Sequence, residues 1–294
     1  MMTNQMHPRY CLAGATATGK SAVAQILAES MGAAVLSADA MLVYKDLDIG
    51  TAKPTRAERG DVPYYGVDCV TPAEDFSAAA WLAEAERAAA CGRPTIVAGG
   101  TGLYFSALLR GLDPSPPANP ELRAQLESLP LEALQARLAA TGRTIADPEN
   151  PRRLVRALEI LESGGELPKG WQEKVKPRLT ALTWDRAVLH QRIARRVEEM
   201  YAAGLLEEAE RVRRDYPVWS RTATQAIGYA EAFGVLDGGM TLAEAKERTI
   251  VRTRQLARRQ EVYLRGQFEV TWIRGEAGDT VETLAEKVAR VWQM

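Results

Sequence analysis

A glycine-rich stretch near the start of the chain has the residue types and the spacing of a phosphate-binding loop. Gly14 is followed, after four residues, by Gly19, Lys20 and Ser21, which matches the pattern G-x-x-x-x-G-K-[ST]. In such a loop the backbone N–H groups point at phosphate oxygens, the lysine reaches the outer phosphates and the hydroxyl binds Mg²⁺. The helix that follows adds the positive end of its dipole. The spacing predicts a phosphorylated ligand with Mg²⁺ held by Ser21, but kinases, hydrolases and switch proteins share this pattern.

A carboxylate follows the next buried run of the chain. The run AAVLSAD ends in Asp39, and parallel strands place their carboxyl ends at one edge of a sheet, so Asp39 is expected beside the phosphate loop. Its spacing fits a carboxylate that orders Mg²⁺ and also fits a general base, and does not decide between them. The stretch DIGTAKP, residues 48–54, comes next. We interpret it as a rigid polar loop without a packing rationale, with a plain surface turn as the alternative.

A third apolar run ends in a Gly-Gly-Thr sequence. Gly99 and Gly100 permit backbones to approach closely at the end of a strand. The hydroxyl of Thr101 is then expected to project into the same crevice as Asp39. A tight turn between a strand and a helix would explain the two glycines equally well.

Arginine is concentrated on three predicted helices. Arg152 and Arg156 lie four residues apart on one of them, and Arg192 and Arg196 have the same spacing on another. The third helix carries six arginines: Arg248, Arg252, Arg254, Arg258, Arg259 and Arg265. A solvated charged face is the usual explanation of one such helix. Three of them in a chain of net charge −1 predict a surface for a phosphate backbone, and arginine also suits bidentate binding of a diphosphate.

The elements that position these residues alternate between strands and helices in the first part of the chain. The alternation predicts an α/β fold with a parallel sheet and helices on both faces. A proline-rich stretch at 113–120 interrupts it, and the segments that follow read as helices joined by turns. We therefore predict that residues 1–114 form the first part of the α/β core, residues 115–182 form an inserted all-helical domain, and residues 183–294 form a helical return to the core with the arginine-rich helices.

Composition excludes several other classes of protein. The three cysteines form no C-x-x-C pair and there are only two histidines, which argues against a zinc site. No apolar run approaches the roughly 20 residues that span a membrane, and the first ten residues lack the apolar region of a signal peptide. We expect a cytoplasmic protein with no membrane partner, and a monomer is the simplest oligomeric state.

Taken together, the motifs resemble those of one family, the tRNA dimethylallyltransferases (tRNA isopentenyltransferases) of the shorter bacterial type. The resemblance runs from residue 11 to residue 265 and consists of seven motifs in order: GATATGKS, SADAMLVYKDLDIGTAKP, VAGGTGLYFSALLRGL, NPRRLVRALE, LHQRIARRVEEM, TQAIGYAE and TRQLARRQEVYLR. It implies a P-loop NTPase-like core whose helical insertion grips the anticodon stem-loop of tRNA. It also implies the transfer of a dimethylallyl group from dimethylallyl diphosphate to N6 of adenosine 37, on the 3′ side of the anticodon, with Mg²⁺ and with release of diphosphate.

The resemblance assigns a role to each matching position. It implies that Asp39 is the base, that Thr101 lies near the adenine and the phosphates, and that Arg196 contacts the diphosphate. The positions implied to hold the donor are Gly14, Ala15, Thr16, Ala17, Thr18, Gly19, Lys20 and Ser21, the last also as the Mg²⁺ ligand. The positions implied to contact tRNA are Asp39, Ala40, Met41, Leu42, Thr101, Arg123, Arg152, Arg153, Arg156, Gln225, Gly228, Tyr229, Arg258, Arg259, Gln260 and Arg265.

Three other functions fit part of the sequence. A small-molecule kinase that uses ATP would explain the phosphate loop and Asp39, but not DIGTAKP or the arginine-rich helices. An isopentenyltransferase that acts on free adenine nucleotide would share the donor and would not need the helical insertion. A non-enzymatic RNA-binding or switch protein would leave the carboxylate beside the phosphate loop unexplained.

Overall fold

The computed structural model describes residues 10–112, 115–116, 119–168 and 176–294, and its centre is a parallel sheet of six strands. The strands are β1 (Cys11–Gly14), β2 (Ala34–Ala38), β3 (Tyr64–Tyr65), β4 (Thr95–Gly99), β5 (Arg178–Thr183) and β6 (Glu269–Arg274). Their order across the sheet is β3–β2–β4–β1–β5–β6, and every neighbouring pair is parallel. All carboxyl ends of the strands therefore meet at one edge, where ligands bind in sheets of this kind.

Helices account for most of the remaining described residues. They are α1 (Lys20–Met31), α2 (Arg56–Arg59), α3 (Ala78–Ala89), α4 (Gly102–Arg110), α5 (Pro120–Glu127), α6 (Leu131–Ala140), α7 (Pro151–Glu162), α8 (Arg186–Ala202), α9 (Leu205–Asp215), α10 (Tyr229–Leu236), α11 (Leu242–Gln267) and α12 (Val281–Trp292). Within the described ranges, none of these helices combines the length and the apolarity that a membrane crossing requires. The predicted parallel α/β core with a helical insert is confirmed.

Both faces of the central strands β1, β2 and β4 are buried, which explains why these strands read as nearly continuous apolar runs. Because successive side chains of a strand point to opposite faces, Leu12 and Ile96 pack against α1 and α12. Their neighbours Cys11 and Val97 pack on the other face in a core that includes Phe105 of α4. The sheet is thus fixed from two sides, and the loops at its carboxyl edge start from rigid supports.

Residues 112–174 form a separate compact unit with its own apolar core. Leu126 of α5, Leu134 of α6 and Leu158 of α7 are almost fully buried there. The carboxylate of Glu159 is also buried in this unit and accepts hydrogen bonds from Arg123 at 2.8 Å, from Arg156 at 2.7 Å and from the Asn119 amide at 2.8 Å. A buried carboxylate requires such partners, so this cluster ties α5 to α7.

The expected segment boundaries were wrong at two strands. Residues 178–183 are strand β5 of the core sheet, although we expected helices up to residue 182. Residues 269–274 are strand β6 at the edge of that sheet, although we expected only helices after residue 185. Both are runs of six residues in which threonine stands among apolar residues, RLTALT and EVTWIR. Neither run alternates strictly between apolar and polar residues, and both lie beside long helical patterns that dominated the prediction.

Candidate functional site

The phosphate loop connects β1 to α1 at the carboxyl edge of the sheet. Gly19, the residue before α1, has φ 93° and Ala17 has φ 64°, so the chain turns sharply through left-handed conformations. Lys20 opens the helix with its side chain buried and its Nζ 3.3 Å from the Ala15 carbonyl oxygen. Burial lowers the pKa of Lys20 to about 8; Asp39 opposes this effect and Arg196 adds to it. These three charged groups therefore share one electrostatic environment.

Three residues from the distant half of the chain hold this loop in place. The Gln260 Oε1 atom of α11 accepts the Thr16 amide at 2.9 Å, and Arg192 Nε of α8 donates to the Ala17 carbonyl at 2.8 Å. The indole of Trp184, just after β5, donates to the Thr18 carbonyl at 2.9 Å. The loop conformation is consequently set by tertiary contacts as well as by its own glycines.

Two of the predicted donor contacts are restricted by the fold. The Thr18 hydroxyl is buried and donates to the Ala15 carbonyl oxygen at 2.9 Å, and the Ala15 side chain is also fully buried. A Cβ atom on Gly14 would lie 2.9 Å from the Thr18 hydroxyl oxygen, which explains the glycine there. These side chains shape the loop from inside, so the predicted contact of Ala15 and Thr18 with a donor is limited to their backbone.

Asp39 and Thr101 come together beside the loop, as the sequence predicted. Asp39 directly follows β2, and its Oδ1 atom accepts the Met41 amide at 2.9 Å. The Thr101 hydroxyl oxygen accepts the Ala40 amide at 3.0 Å, so the turns after β2 and β4 are joined. A Cβ atom on Gly99 would lie 2.0 Å from the Ala38 carbonyl oxygen. This close approach, rather than a simple tight turn, is the reason for a glycine at that position.

A crevice opens between the start of α1 and the end of β2. Its polar wall includes Lys20, Ser21 and Asp39, and its apolar wall includes Leu42 and the ring of Tyr64. Leu42 is nearly buried and lines this crevice, and its predicted contact with tRNA stays a prediction. Positive charge next to an apolar wall suits a ligand that joins phosphate to a short apolar group.

Ser21 meets the chemical requirement for the predicted Mg²⁺ site. It is exposed at the first turn of α1, and a hydroxyl oxygen is a ligand that Mg²⁺ accepts. Among the residues that the structure describes, no cluster of three or more histidine, cysteine or acidic side chains could enclose a metal by itself. Mg²⁺ usually keeps water and substrate phosphates as most of its ligands, and its binding by Ser21 stays a prediction.

The DIGTAKP loop is packed, and our interpretation of it as a loop without a packing rationale was wrong. The ammonium group of Lys53 is buried, 2.7 Å from the Asp48 carboxylate and 2.7 Å from the Tyr44 carbonyl oxygen. It also pairs with Asp68 at 2.5 Å. A Cβ atom on Gly50 would lie 2.4 Å from the ring of Tyr229, so only glycine fits there. The ion pairs of Lys53 and the contact of Gly50 with Tyr229 therefore both hold the loop in place.

Arg196 lies where the phosphate loop and the DIGTAKP loop meet. One guanidinium nitrogen is 3.3 Å from the Thr16 hydroxyl, and the other donates to the Thr51 carbonyl oxygen at 3.1 Å. Burial lowers the pKa of Arg196 and Asp39 opposes that effect, but arginine remains protonated in proteins. The predicted cation is thus present beside the phosphate loop.

The residues predicted to contact tRNA fall into two groups on α11. Arg258, Arg259 and Arg265 are exposed, with the guanidinium of Arg265 4.5 Å from the centre of the Trp272 ring. Gln260 points the other way, onto the phosphate loop, and a Cβ atom on Gly100 would lie 2.2 Å from its amide nitrogen. The prediction that Gln260 binds tRNA is therefore not supported by its contacts, because its side chain is engaged inside the site.

Two further predicted tRNA contacts are buried. Tyr229 is 1% exposed and donates its hydroxyl hydrogen to Glu208 at 2.5 Å, and the Gly228 amide donates to Glu231 at 3.0 Å. These groups stabilise the interior around α10, and their direct contact with tRNA stays a prediction. Gln225 is exposed, as a contact residue requires.

The predicted contacts in the helical unit remain at its surface. Arg152 and Arg153 are exposed, and Arg153 lies 3.5 Å from Asp147. Arg123 and Arg156 keep 36% and 38% of their side chains exposed although they also hold Glu159. Their tRNA contacts stay a prediction, to which the structure adds a role in stabilising the unit.

Sequence reasoning missed Glu208 altogether. It lies on the buried stripe of α9, three residues after Leu205 and four before Val212. Its carboxylate accepts the amides of Ile49 at 2.9 Å and Gly50 at 3.2 Å. A glutamate on the apolar stripe of an amphipathic helix is the signal that could have found it.

Family models, related sequences and a solved structure all place the chain among the IPP transferases. The family model for IPP transferase matches residues 42–267, and the model for isopentenyl transferase matches residues 8–62. The tRNA dimethylallyltransferase of Anaeromyxobacter dehalogenans is 42% identical, covering 94% of this chain and 95% of that protein. The enzyme of the same name from Bordetella pertussis is 40% identical, covering 97% and 99%. The crystal structure of a tRNA isopentenylpyrophosphate transferase from Bacillus halodurans superimposes with a TM-score of 0.68 at 32% identity over 96% of each chain.

Proposed function

The chain belongs to the IPP transferase family, and we propose that it is a tRNA dimethylallyltransferase. It transfers a dimethylallyl group from dimethylallyl diphosphate to N6 of adenosine 37 of tRNA, on the 3′ side of the anticodon, and releases diphosphate. The observation that carries this proposal is the meeting of Lys20, Asp39, Thr101 and Arg196 around one phosphate loop. The names of the relatives support the acceptor.

The acceptor needs help because the lone pair of an adenine amine is delocalised into the ring. In the proposed reaction N6 forms a bond to C1 of the prenyl group while the bond between C1 and the diphosphate oxygen breaks. The electron pair of that bond leaves with the diphosphate, and the N6 proton passes to the carboxylate of Asp39. The hydrogen bond from the Met41 amide fixes the orientation of this carboxylate.

The departing diphosphate gains negative charge, which the phosphate loop can stabilise. The ammonium of Lys20, the guanidinium of Arg196 and the amides of the loop are already in place, so little reorganisation is needed as charge develops. Mg²⁺ held by Ser21 and the phosphate oxygens would neutralise further charge on the leaving group. The apolar wall with Leu42 and Tyr64 supports a donor with a short hydrocarbon tail.

The acceptor adenosine must leave the stack of the anticodon loop to reach the site. The exposed Arg258, Arg259 and Arg265 supply positive charge for the RNA backbone on the same helix that carries Gln260. We propose that the helical unit of residues 112–174 contacts the anticodon stem-loop. A monomer in the cytoplasm would be sufficient for this activity.

The test is a transfer assay with radiolabelled dimethylallyl diphosphate and unmodified tRNA. Label is expected in tRNA with adenosine at position 37 and not in the same tRNA with guanosine there. Transfer to adenosine monophosphate but not to tRNA would instead identify a free-nucleotide isopentenyltransferase. Consumption of ATP without any prenyl transfer would identify a kinase and refute the proposal.

A further inference from the structure

The buried carboxylate of Glu208 lies outside the reacting groups, yet it is connected to them. It is 2% exposed and sits beneath the DIGTAKP loop, where it accepts the amides of Ile49 at 2.9 Å and Gly50 at 3.2 Å. The Asp48 amide lies 3.3 Å from the same carboxylate. Three consecutive amides of a loop thus converge on one side chain from α9.

A second partner fixes this carboxylate from the opposite side. The Tyr229 hydroxyl donates to Glu208 at 2.5 Å, and its ring fills the space that only a glycine at position 50 leaves open. Hydrogen bonds to an ionised acceptor are about twice as strong as neutral ones. Loss of the charge would therefore weaken all of these contacts together.

The loop that Glu208 binds ends at the catalytic cation. Directly after Gly50, the Thr51 carbonyl oxygen accepts a hydrogen bond from Arg196 at 3.1 Å, while the other end of that guanidinium reaches Thr16 of the phosphate loop at 3.3 Å. The Thr51 hydroxyl bonds back to the Leu47 carbonyl at 2.5 Å, which closes the turn. The position of one carbonyl oxygen consequently depends on the anchoring of residues 48–50.

We propose that Glu208 is a positioning residue for prenyl transfer: it anchors the DIGTAKP loop so that the Thr51 carbonyl holds Arg196 against the phosphate loop. The inference rests on the proposed function for its kinetic consequence. Its structural part concerns only the binding of a diphosphate group. Glu208 acts through Arg196 and has no direct contact with the reacting atoms.

The test combines Glu208→Gln with Arg196→Ala in a double-mutant cycle. Each single variant is expected to bind inorganic diphosphate about tenfold more weakly than the wild type, as the loss of a charge-assisted hydrogen bond predicts. The double variant should bind no more weakly than Arg196→Ala alone, because both changes remove the same interaction. The kcat of prenyl transfer should follow the same pattern, with little change in the KM for tRNA.

A matched control separates positioning from general stabilisation. Glu231 is equally buried, but its carboxylate pairs with Arg252 and accepts the Gly228 amide, whereas that of Glu208 accepts amides of the DIGTAKP loop. Glu231→Gln should lower the melting temperature much as Glu208→Gln does. Its effect on diphosphate affinity should stay within about twofold and should add to that of Arg196→Ala.

The outcomes distinguish the two proposals. If the losses in Glu208→Gln and Arg196→Ala multiply in the double variant, Glu208 does not act through Arg196 and the inference is overturned. If Glu208→Gln does not fold, Tyr229→Phe replaces it in the cycle, because this change removes one hydrogen bond to Glu208 and keeps the ring against Gly50. Losses of binding free energy that add in the double variant would overturn the inference here too. A wild-type protein that binds diphosphate but transfers no prenyl group would refute the proposed function and leave the diphosphate cycle as the test of Glu208.

Discussion

The structure and the family resemblance predict different effects of replacing Gln260 by alanine. Gln260 lies on the helix that carries the exposed Arg258 and Arg259, and the resemblance implied that it contacts tRNA. In the structure its Oε1 atom accepts the Thr16 amide at 2.9 Å, and its amide nitrogen lies against Gly100. Gln260→Ala should therefore impair the donor site and leave tRNA affinity nearly unchanged.

The size of the effect follows from one lost hydrogen bond. A typical bond of this kind contributes about 1 kcal/mol, which corresponds to roughly fivefold in an equilibrium constant. An amide left without a partner in a partly buried loop would raise the loss to about 2 kcal/mol. We expect the dissociation constant for inorganic diphosphate and the KM for dimethylallyl diphosphate to rise about 5- to 30-fold.

The assay measures diphosphate binding by calorimetry and tRNA binding by filter retention on the same preparations. Arg259→Ala, one residue away and exposed, is the matched control and should weaken tRNA binding with normal diphosphate affinity. The reasoning is refuted if Gln260→Ala weakens tRNA binding while diphosphate affinity stays at the wild-type value.

Three further results are expected. Asp39→Asn should lower kcat by about 10²- to 10⁴-fold and leave tRNA affinity unchanged, because the amide oxygen can still accept the Met41 N–H but cannot take the N6 proton. Single-turnover rates measure the chemical step and filter binding measures the affinity for tRNA. A rate near that of the wild type would exclude Asp39 as the base. Arg258→Ala combined with Arg259→Ala should reduce the slope of log affinity for tRNA against log salt by about 2, because each arginine contact releases about one counterion; an unchanged slope would place them outside the RNA interface. The affinity of the free enzyme for the donor should fall as the pH rises through about 8, because Lys20 is protonated below its pKa of about 8 and neutral above it. An affinity for diphosphate that stays constant between pH 7 and 9.5 would contradict this expectation.

The chemistry at the edge of the sheet could be predicted from sequence because it depends on local signals. Gly19 and Lys20 have fixed spacing, and Asp39 and Thr101 each follow an apolar run that must be a strand. Parallel strands bring such positions to one edge whatever the remaining details. The approach of Thr101 to the turn after Asp39 follows directly from that topology.

The supporting contacts could not be predicted in the same way because they join residues far apart in the chain. Glu208 and Tyr229 lie about 160 residues or more from the loop that they hold, and no spacing rule connects them. The direction of Gln260 on α11 could not be predicted either, because its contact with the Thr16 amide joins residues 244 positions apart. The edge strand β6 was missed because it is only six residues long and its apolar and polar residues do not alternate throughout.

The central claim is that the phosphate loop holds the diphosphate of a prenyl donor while Asp39 receives the proton of an adenine amine. Its most direct test is a crystal structure with an unreactive dimethylallyl thiodiphosphate and a tRNA anticodon stem-loop. We expect the diphosphate against Lys20 and Arg196, and N6 of the extruded adenine within hydrogen-bond distance of the Asp39 carboxylate. A structure in which ATP displaces the analogue from the loop, or in which the Asp39 carboxylate points away from the adenine, would contradict it.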